Sequence, residues 1–129
     1  KMLDALDKNE NPTIYGDGSE SFDFVAVKDC ALANICAMKA NTRDEFYNVG
    51  TGTRTSLKEL AEILIELTNS KCKINYVKKN QTTFVKNRVG STKKAQKEIS
   101  YSSQISLKKG LEQLIHWRNN HKSTLNFES

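Results

Sequence analysis

The sequence predicts a single α/β domain, residues 1–129, in which a small mixed sheet of short strands (an α+β lobe) carries four to five helices. Three observations predict this class. Helical and extended patterns alternate along the chain, the extended runs are short and irregular, and the length suffices for one modest core. Such a unit is expected to be a lobe built onto something larger, not a doubly wound sheet of its own.

The chain opens with a predicted helix and a short strand. Residues 1–8 carry an apolar side at helical spacing, and the helix must end before Pro12 because proline cannot continue it. Residues 13–15 follow as a strand candidate. Residues 16–18, Gly-Asp-Gly, predict a turn in which the glycines adopt positive φ.

A strand, a helix and another strand are predicted next. Residues 22–27 are rich in β-favouring side chains. Asp29 is expected to cap a helix that runs through Ala40, because a carboxylate accepts hydrogen bonds from the free N–H groups of a first turn. Residues 45–49 predict a strand, and the turn at residues 50–52 ends it. The predicted helix has one marked face: Leu32, Ile35, Cys36 and Lys39.

The most regular helix of the sequence begins at Ser56. Ser56 and Glu59 form an S-x-x-E capping box, and apolar residues then recur at helical spacing to about Thr68. Residues 71–77 alternate apolar and polar side chains, which predicts a half-buried strand.

The last third predicts an extended or irregular segment at residues 84–88 and two helices. Ser91 is expected to cap a helix that runs to Ile99, and Ser106 the final helix. Residues 119–129 are expected to form a frayed tail. Four apolar side chains of the final helix are predicted to face inward: Leu107, Leu111, Leu114 and Ile115.

The net charge, the apolar segments and the cysteine count restrict the class of protein. The net charge of +5 comes from scattered lysines without a nucleic-acid-binding motif, so a solvated surface or a partial attraction to an anionic ligand explains it better than nucleic acid does. No segment has the length and apolarity of a membrane span. Three cysteines without metal spacing predict buried free thiols in a reducing, cytoplasmic setting, and no metal site.

Three local motifs are candidates for binding a ligand, and each also has a purely structural interpretation. The Gly16–Gly18 turn is a weak phosphate cradle and is better explained as a tight turn. The segment from Asn48 to Gly52 either presents backbone N–H groups to an anion or is only a strand-to-helix turn. Arg88 either grips diphosphate oxygens or is a surface arginine.

No catalytic residue is predicted. The sequence contains no Tyr-x-x-x-Lys, no serine or cysteine with an evident base, and no metal-ligand cluster. The chain is therefore expected to shape one wall of a pocket without carrying out a reaction.

Three segments taken in order resemble a known family: PTIYGDGSESFDFVAVKDCALANICAM, FYNVGTGTRTSLKELAEILIEL and NRVGSTKKAQKEISYSSQISLKKGLEQLIHWR. They resemble the C-terminal part of NAD-dependent sugar-nucleotide epimerases and dehydratases, the extended short-chain dehydrogenase/reductases. The resemblance implies a substrate-binding lobe for a nucleotide diphosphate-sugar. It places the NAD fingerprint and the Tyr/Lys pair in an N-terminal Rossmann half that this sequence does not contain.

The resemblance also implies site residues. Arg88 matches the arginine that many members use on the diphosphate, and residues 89–91 (Val89, Gly90 and Ser91) match the positions after it, although the family often has Asp at Ser91. Residues 13–15 (Thr13, Ile14 and Tyr15) match a segment that passes the nucleotide base, largely through backbone atoms. Phe22 departs from the family, because many members have a second diphosphate-binding arginine there; Asp23 and Phe24 retain the rest of that motif.

The resemblance leads to an expected function. The full-length parent is expected to bind NAD and to act as an epimerase or dehydratase, similar to UDP-glucose 4-epimerase, with a homodimer as a possible assembly. The chain alone is expected to be inactive. The alternative is a stand-alone binding or interaction module that reuses the lobe and docks a protein on its normally covered face.

Overall fold

The computed structural model describes residues 1–78 and 86–121. These residues form a mixed α/β structure with five helices and two small sheets, which confirms the predicted class. The helices are α1 (Met2–Asp7), α2 (Val27–Lys39), α3 (Leu57–Leu67), α4 (Lys93–Ile99) and α5 (Leu107–Asn120). The strands are β1 (Thr13–Tyr15), β2 (Ser21–Phe22), β3 (Thr55–Ser56), β4 (Asn75–Val77) and β5 (Asn87–Arg88).

The strands form two separate sheets. Strand β1 pairs with β4 in parallel, with Ile14 beside Tyr76. The other sheet has the order β3-β2-β5, in which β2 runs antiparallel to β3 and parallel to β5. The register places Phe22 between Thr55 and Arg88. Two strands from distant parts of the chain therefore flank β2.

A small apolar core lies between α2, α4 and the segment that follows each of them. Its buried members are Ala33, Ala95, Ile99 and Tyr101, with Cys36, Ala40 and Tyr47 packed against them. Small alanines on α2 and α4 allow the two helices to approach closely. The core is modest, as expected for a chain of this length.

Asp29 is a buried link between α2 and α5, so its predicted role as the cap of α2 is wrong. The residue before α2 is Ala26, which makes no side-chain capping bond, and Asp29 lies inside the first helical turn. Its carboxylate accepts hydrogen bonds from Gln104 N at 3.0 Å and Ile105 N at 3.1 Å. The side chain is 1% exposed and satisfies backbone donors just before α5 begins.

Of the three predicted serine caps, two are confirmed and one is wrong. Ser56 Oγ accepts a hydrogen bond from Glu59 N, and the Glu59 carboxylate accepts one from Ser56 N, which completes the capping box of α3. Ser106 Oγ accepts a bond from Lys109 N at the start of α5. Helix α4 follows Thr92 without a side-chain cap, so the prediction for Ser91 is wrong.

The strand predictions are partly wrong because strand pairing depends on partners far along the chain. Of the segment predicted at residues 22–27, only Phe22 pairs, together with Ser21 before it. Strand β4 begins at Asn75 because β1 offers three residues to pair with. Residues 45–49 are not a strand, since no described strand lies beside them. The sequence did not predict β3, because a strand of two residues is too short to show an alternation of apolar and polar side chains.

The C-terminal helix is longer than predicted. Residues 119 and 120, which were expected to be part of the tail, belong to α5. Residues 122–129 lie outside the described residues, as do residues 84 and 85 of the predicted extended segment.

Several residues that were predicted to be buried are only partly covered. Three of the four predicted inward residues of α5 are half-buried, and Leu114 is 43% exposed. On the marked face of α2, Cys36 packs on the core beside Ala33, whereas Ile35 is 48% exposed. The three thiols are half-buried: Cys30, Cys36 and Cys72. Within residues 1–78 and 86–121, no helix has the length and apolarity to cross a membrane.

We expect Asp29→Asn to lower the free energy of unfolding by about 2–3 kcal/mol, because one backbone N–H would then face an amide group instead of a carboxylate oxygen. Urea denaturation would measure the change. Asp44→Asn is the matched control, since Asp44 is exposed and has a φ of 55°, which asparagine tolerates. Equal destabilisation by both substitutions would contradict the role of Asp29.

Candidate functional site

Arg88 lies on β5 with its guanidinium beside an aromatic ring. Its guanidinium carbon is 5.8 Å from the centroid of the Phe22 ring, because the parallel register makes the two residues neighbours. Its backbone carbonyl accepts a hydrogen bond from Asp23 N at 3.1 Å. The side chain is exposed and forms no ion pair with any residue of the described ranges. The guanidinium is therefore fixed on one side and open to solvent on the other.

The preceding residues hold β5 in this position. Ser21 is 1% exposed, and its hydroxyl donates a 2.6 Å hydrogen bond to Asn87 Oδ1. Ser21 N donates to the carbonyl of Lys86 at 2.9 Å. The Phe22 ring also contacts the ring of Phe24, with 5.9 Å between centroids. Arg88 thus follows a backbone that is anchored by a buried residue of β2.

Asp23 joins the end of β2 to the turn at residues 50–52. Its carboxylate accepts hydrogen bonds from Thr51 N at 3.0 Å, Thr51 Oγ1 at 2.6 Å and Gly52 N at 2.8 Å. Gly50 packs so closely on this carboxylate that a Cβ atom at residue 50 would collide with Asp23 Oδ2. The N–H groups of Thr51 and Gly52 are therefore used inside the protein. Of the two interpretations of this motif, the structure favours a structural turn over the anion cradle, although no strand precedes the turn.

Tyr101 supports the same turn from the core. Its side chain is 1% exposed, and its hydroxyl donates a hydrogen bond of 3.2 Å to the carbonyl of Gly50. Burial raises the pKa of the Tyr101 phenol above its usual value, and the nearby Asp29 carboxylate raises it further. The phenol therefore stays protonated and can continue to donate this bond.

Residues 89–91 continue from Arg88 along the surface beside Asn48. All three are exposed, and Asn48 Nδ2 donates a hydrogen bond of 3.3 Å to the carbonyl of Ser91. A Cβ atom on Gly90 would lie 3.3 Å from Asn48 Cγ. Sequence reasoning gave Asn48 no link to this segment, since the two are 43 residues apart and no local pattern connects them.

Residues 13–15 belong to the other sheet, away from the Arg88 segment. Ile14 is 1% exposed, so its side chain is closed to a ligand, whereas Thr13 and Tyr15 are exposed. No hydrogen bond or ion pair within the described ranges joins β1 to residues 88–91. The structure thus brings Arg88, Val89, Gly90 and Ser91 together as one segment and leaves the predicted base-binding strand separate.

The Gly-Asp-Gly motif is a structural turn. Gly16 and Gly18 have φ values of 98° and 77°, as predicted from their glycine identity. Asp17 Oδ1 accepts bonds from the backbone N–H and the hydroxyl of Ser19, and these bonds lower the pKa of Asp17. The carbonyl of Gly18 accepts a bond from Lys58 N at 3.1 Å. The turn connects β1 to the start of α3 and was correctly predicted.

Two hollows lie near β2, and Arg88 lines neither of them. One, of about 630 Å³, lies between residues 24–28 and α5, with Leu107, Leu114 and Trp117 along its helical side. The other, of about 300 Å³, lies between Thr51, Thr53 and the residues just before α5. Arg88 stands on an open surface. No group of three potential metal ligands occurs within residues 1–78 and 86–121.

Comparison with known proteins gives matches over most of the chain. The sequence profile of the NAD dependent epimerase/dehydratase family matches residues 1–50. A protein of Methanocaldococcus jannaschii, provisionally assigned as a UDP-glucose 4-epimerase, is 33% identical and matches 95% of this chain and 39% of its own length. A dTDP-glucose 4,6-dehydratase of Haemophilus influenzae is 32% identical and matches 81% of this chain and 34% of its own length.

Solved structures give the same result. The UDP-glucose 4-epimerase of Thermotoga maritima, determined with UDP-glucose, superposes with a TM-score of 0.85 at 26% identity, over 92% of this chain and 38% of that one. An epimerase of Methanothermobacter thermautotrophicus shares the fold, with a TM-score of 0.92 at 24% identity over 98% of this chain and 38% of that one.

These matches confirm the resemblance found in the sequence. The chain corresponds to the C-terminal part of NAD-dependent sugar-nucleotide epimerases and dehydratases. It spans 39% of the length of the Methanocaldococcus relative and 38% of the Thermotoga epimerase.

We expect Tyr101→Phe to lower the free energy of unfolding by about 1–2 kcal/mol, because the carbonyl of Gly50 loses its buried donor. The raised pKa of Tyr101 also makes the free energy of unfolding depend on pH. The unfolded chain ionises near the usual tyrosine pKa of 10.0 while the folded protein stays protonated, so the wild type loses stability as the pH rises above 10 until the folded pKa is passed.

Urea denaturation at pH 7 and at pH 10.5 would test both statements. Tyr76→Phe is the control, since Tyr76 is 45% exposed. Tyr101→Phe should show a weaker decline between the two pH values than the wild type and the control. An equal decline in all three proteins would contradict the buried role of Tyr101.

Proposed function

We propose that this chain is the nucleotide diphosphate-sugar-binding part of an NAD-dependent epimerase or dehydratase, and that Arg88 binds the diphosphate. The single observation that supports this role is the state of Arg88: an exposed guanidinium, held over the Phe22 ring and without a carboxylate partner in the described ranges. A guanidinium presents two parallel N–H donors and a permanent charge, which match the oxygens of a diphosphate.

The residues after Arg88 contribute shape and backbone groups to this proposal. Val89, Gly90 and Ser91 extend the exposed segment, and the bond from Asn48 to the carbonyl of Ser91 fixes its course. A segment held in one conformation loses little conformational entropy when a ligand binds. We assign these three residues to the wall beside the diphosphate and the sugar.

The strand β1 is assigned to the nucleotide base. Its only neighbour within the described residues is β4, so its other edge leaves backbone N–H and C=O groups unpaired in the sheet. The edge of a base carries the complementary donors and acceptors. Because Ile14 is buried, we expect Thr13, Ile14 and Tyr15 to act mainly through their backbone atoms.

The reaction itself is proposed to take place elsewhere in the full-length protein. NAD, when bound there, accepts a hydride from the sugar and returns it. The residues of this chain bind and orient the activated sugar against that cofactor, and the chain alone is proposed to be inactive because it contributes no acid or base to the reaction. A homodimer and a cytoplasmic location, expected from the resemblance and from the cysteines, stay predictions.

Phe22 takes a specific part in this site. Where many proteins of this kind have a second arginine, Phe22 instead places its ring under the guanidinium of Arg88. We therefore assign Phe22 as a positioning residue, which restricts the rotamers of Arg88 through a cation–π contact.

Arg88→Ala in the full-length protein should weaken binding of UDP-, dTDP- or GDP-sugars about 10- to 100-fold, the usual effect of losing charge-assisted hydrogen bonds. The affinity of Arg88→Lys should lie between those of the wild type and Arg88→Ala, because lysine keeps the charge without the paired donors. Titration calorimetry would measure the dissociation constants. Arg43→Ala removes an exposed arginine elsewhere and should leave them unchanged. Equal binding by wild type and Arg88→Ala would remove Arg88 from the site.

Phe22→Leu should weaken the same binding about two- to five-fold, since a cation–π contact at an exposed site is worth about 0.5–1 kcal/mol. Phe22→Tyr should restore it. In an Arg88→Ala background, Phe22→Leu should have no further effect, because the two residues act as one unit. Additive losses in the double variant would contradict the positioning role.

A further inference from the structure

The sheet β3-β2-β5 has two faces, and Arg88 stands on the outer one. Ser21 is 1% exposed and its hydroxyl bonds the side chain of Asn87, so these two residues mark the inner face. Arg88 lies over the ring of Phe22, so this pair marks the outer face. Successive side chains of a strand point to opposite faces, and the residues on either side of Asn87 therefore belong to the outer face.

Lys86 is the second basic residue of this outer face. Ser21 N donates to the carbonyl of Lys86 and Asp23 N donates to the carbonyl of Arg88, so the backbone ladder along β2 continues from residue 86 to residue 88. Two residues of a strand span about 6.6 Å. Lys86 and Arg88 therefore project from the same face at a spacing that one ligand with two charged groups can bridge.

The ammonium of Lys86 is available to a ligand. The residue is exposed, and no ion pair within residues 1–78 and 86–121 includes it. The pKa of Asp17 is lowered mainly by its hydrogen bonds with Ser19, and attraction to the Lys86 ammonium lowers it further. The charge of Lys86 is thus within electrostatic range of the turn that follows β1, the strand assigned to the base.

Two other cations near this sheet are directed elsewhere. Arg54 precedes Thr55, which is the strand partner of Phe22, so alternation turns Arg54 to the opposite face. There it lines a hollow that also contains Glu59 and Glu62. Lys94 on α4 forms an ion pair with the Glu45 carboxylate.

A diphosphate that joins a nucleoside to a sugar carries one negative charge on each phosphate. Arg88 supplies one positive charge, and Phe22, directly opposite it on β2, supplies none. A site with one cation leaves half of this charge without a counter-charge. The position of Lys86 on the same face provides one.

We propose that Lys86 is the second cation of the diphosphate site and supplies the charge that Phe22 does not. This inference rests on the proposed function and adds a binding residue to the same site. Lysine carries a compact charge on a flexible stem, so Lys86 acts as a point charge, whereas Arg88 forms paired hydrogen bonds.

Neutralising Lys86 in the full-length protein tests the proposal. Titration calorimetry in about 50 mM salt, with the tightest-binding of UDP, dTDP and GDP, should show an affinity about 5- to 10-fold lower for Lys86→Gln than for the wild type. Lys86→Arg should stay within about two-fold. Lys71→Gln, at another exposed lysine in an extended segment before a strand, should bind as the wild type does. Wild-type affinity in Lys86→Gln, as when Glu20 or Asp17 already neutralises the ammonium, would overturn the proposal.

A compensating substitution separates a charge effect from a structural one. Phe22→Arg places a cation opposite Arg88 on the same face. In the Lys86→Gln background it should restore the affinity to within about three-fold of the wild type. Raising the salt to about 300 mM should reduce the difference between the wild type and Lys86→Gln, because salt screens an exposed point charge. Failure of Phe22→Arg to restore binding, or a difference independent of salt, would overturn the proposal.

Arg88→Ala distinguishes this inference from the function on which it rests. Weaker binding by Arg88→Ala together with unchanged binding by Lys86→Gln would overturn the role of Lys86 alone. If Arg88→Ala binds the nucleoside diphosphate as tightly as the wild type does, the proposed function fails and the role of Lys86 fails with it.

Discussion

The arrangement of the candidate site depends on the carboxylate of Asp23. Its side chain binds Thr51 and Gly52, and its own N–H binds the carbonyl of Arg88. One residue therefore connects β2 to a turn 28 residues later and to a strand more than 60 residues later. Hydrogen bonds to a charged acceptor are stronger than neutral ones, and three short ones on a single carboxylate leave the turn little freedom. Phe22 and Arg88 lie beside this connection because β2 pairs with β5 in parallel.

Two further buried polar residues connect the remaining parts in the same way. Asp29 ties α2 to the residues before α5, and Tyr101 ties the end of α4 to the turn at Gly50. Because the apolar core is small, these satisfied polar contacts add to it in specifying how the elements are arranged. The arrangement of the lobe thus includes a few long-range hydrogen bonds, made by Asp23, Asp29 and Tyr101.

The openness of the site and the exposed apolar surfaces have a common explanation. Arg88 is exposed, the Met38 side chain on α2 is exposed, and residues 45–49 pair with no strand of residues 1–78 and 86–121. The matching proteins are more than twice as long as this chain, which agrees with a lobe that is completed by another part of the protein.

The sequence alone determined the features that depend on neighbouring residues. Capping at Ser56 and Ser106, the Gly16–Gly18 turn and the helices need only local hydrogen bonds and helical spacing, and the ordered motifs identified the family resemblance. Tertiary structure decided the rest. The burial of Asp29, the contact of Phe22 with Arg88 and the unpaired state of residues 45–49 depend on partners distant in the chain, and the spacing of residues along a sequence does not encode which distant groups meet.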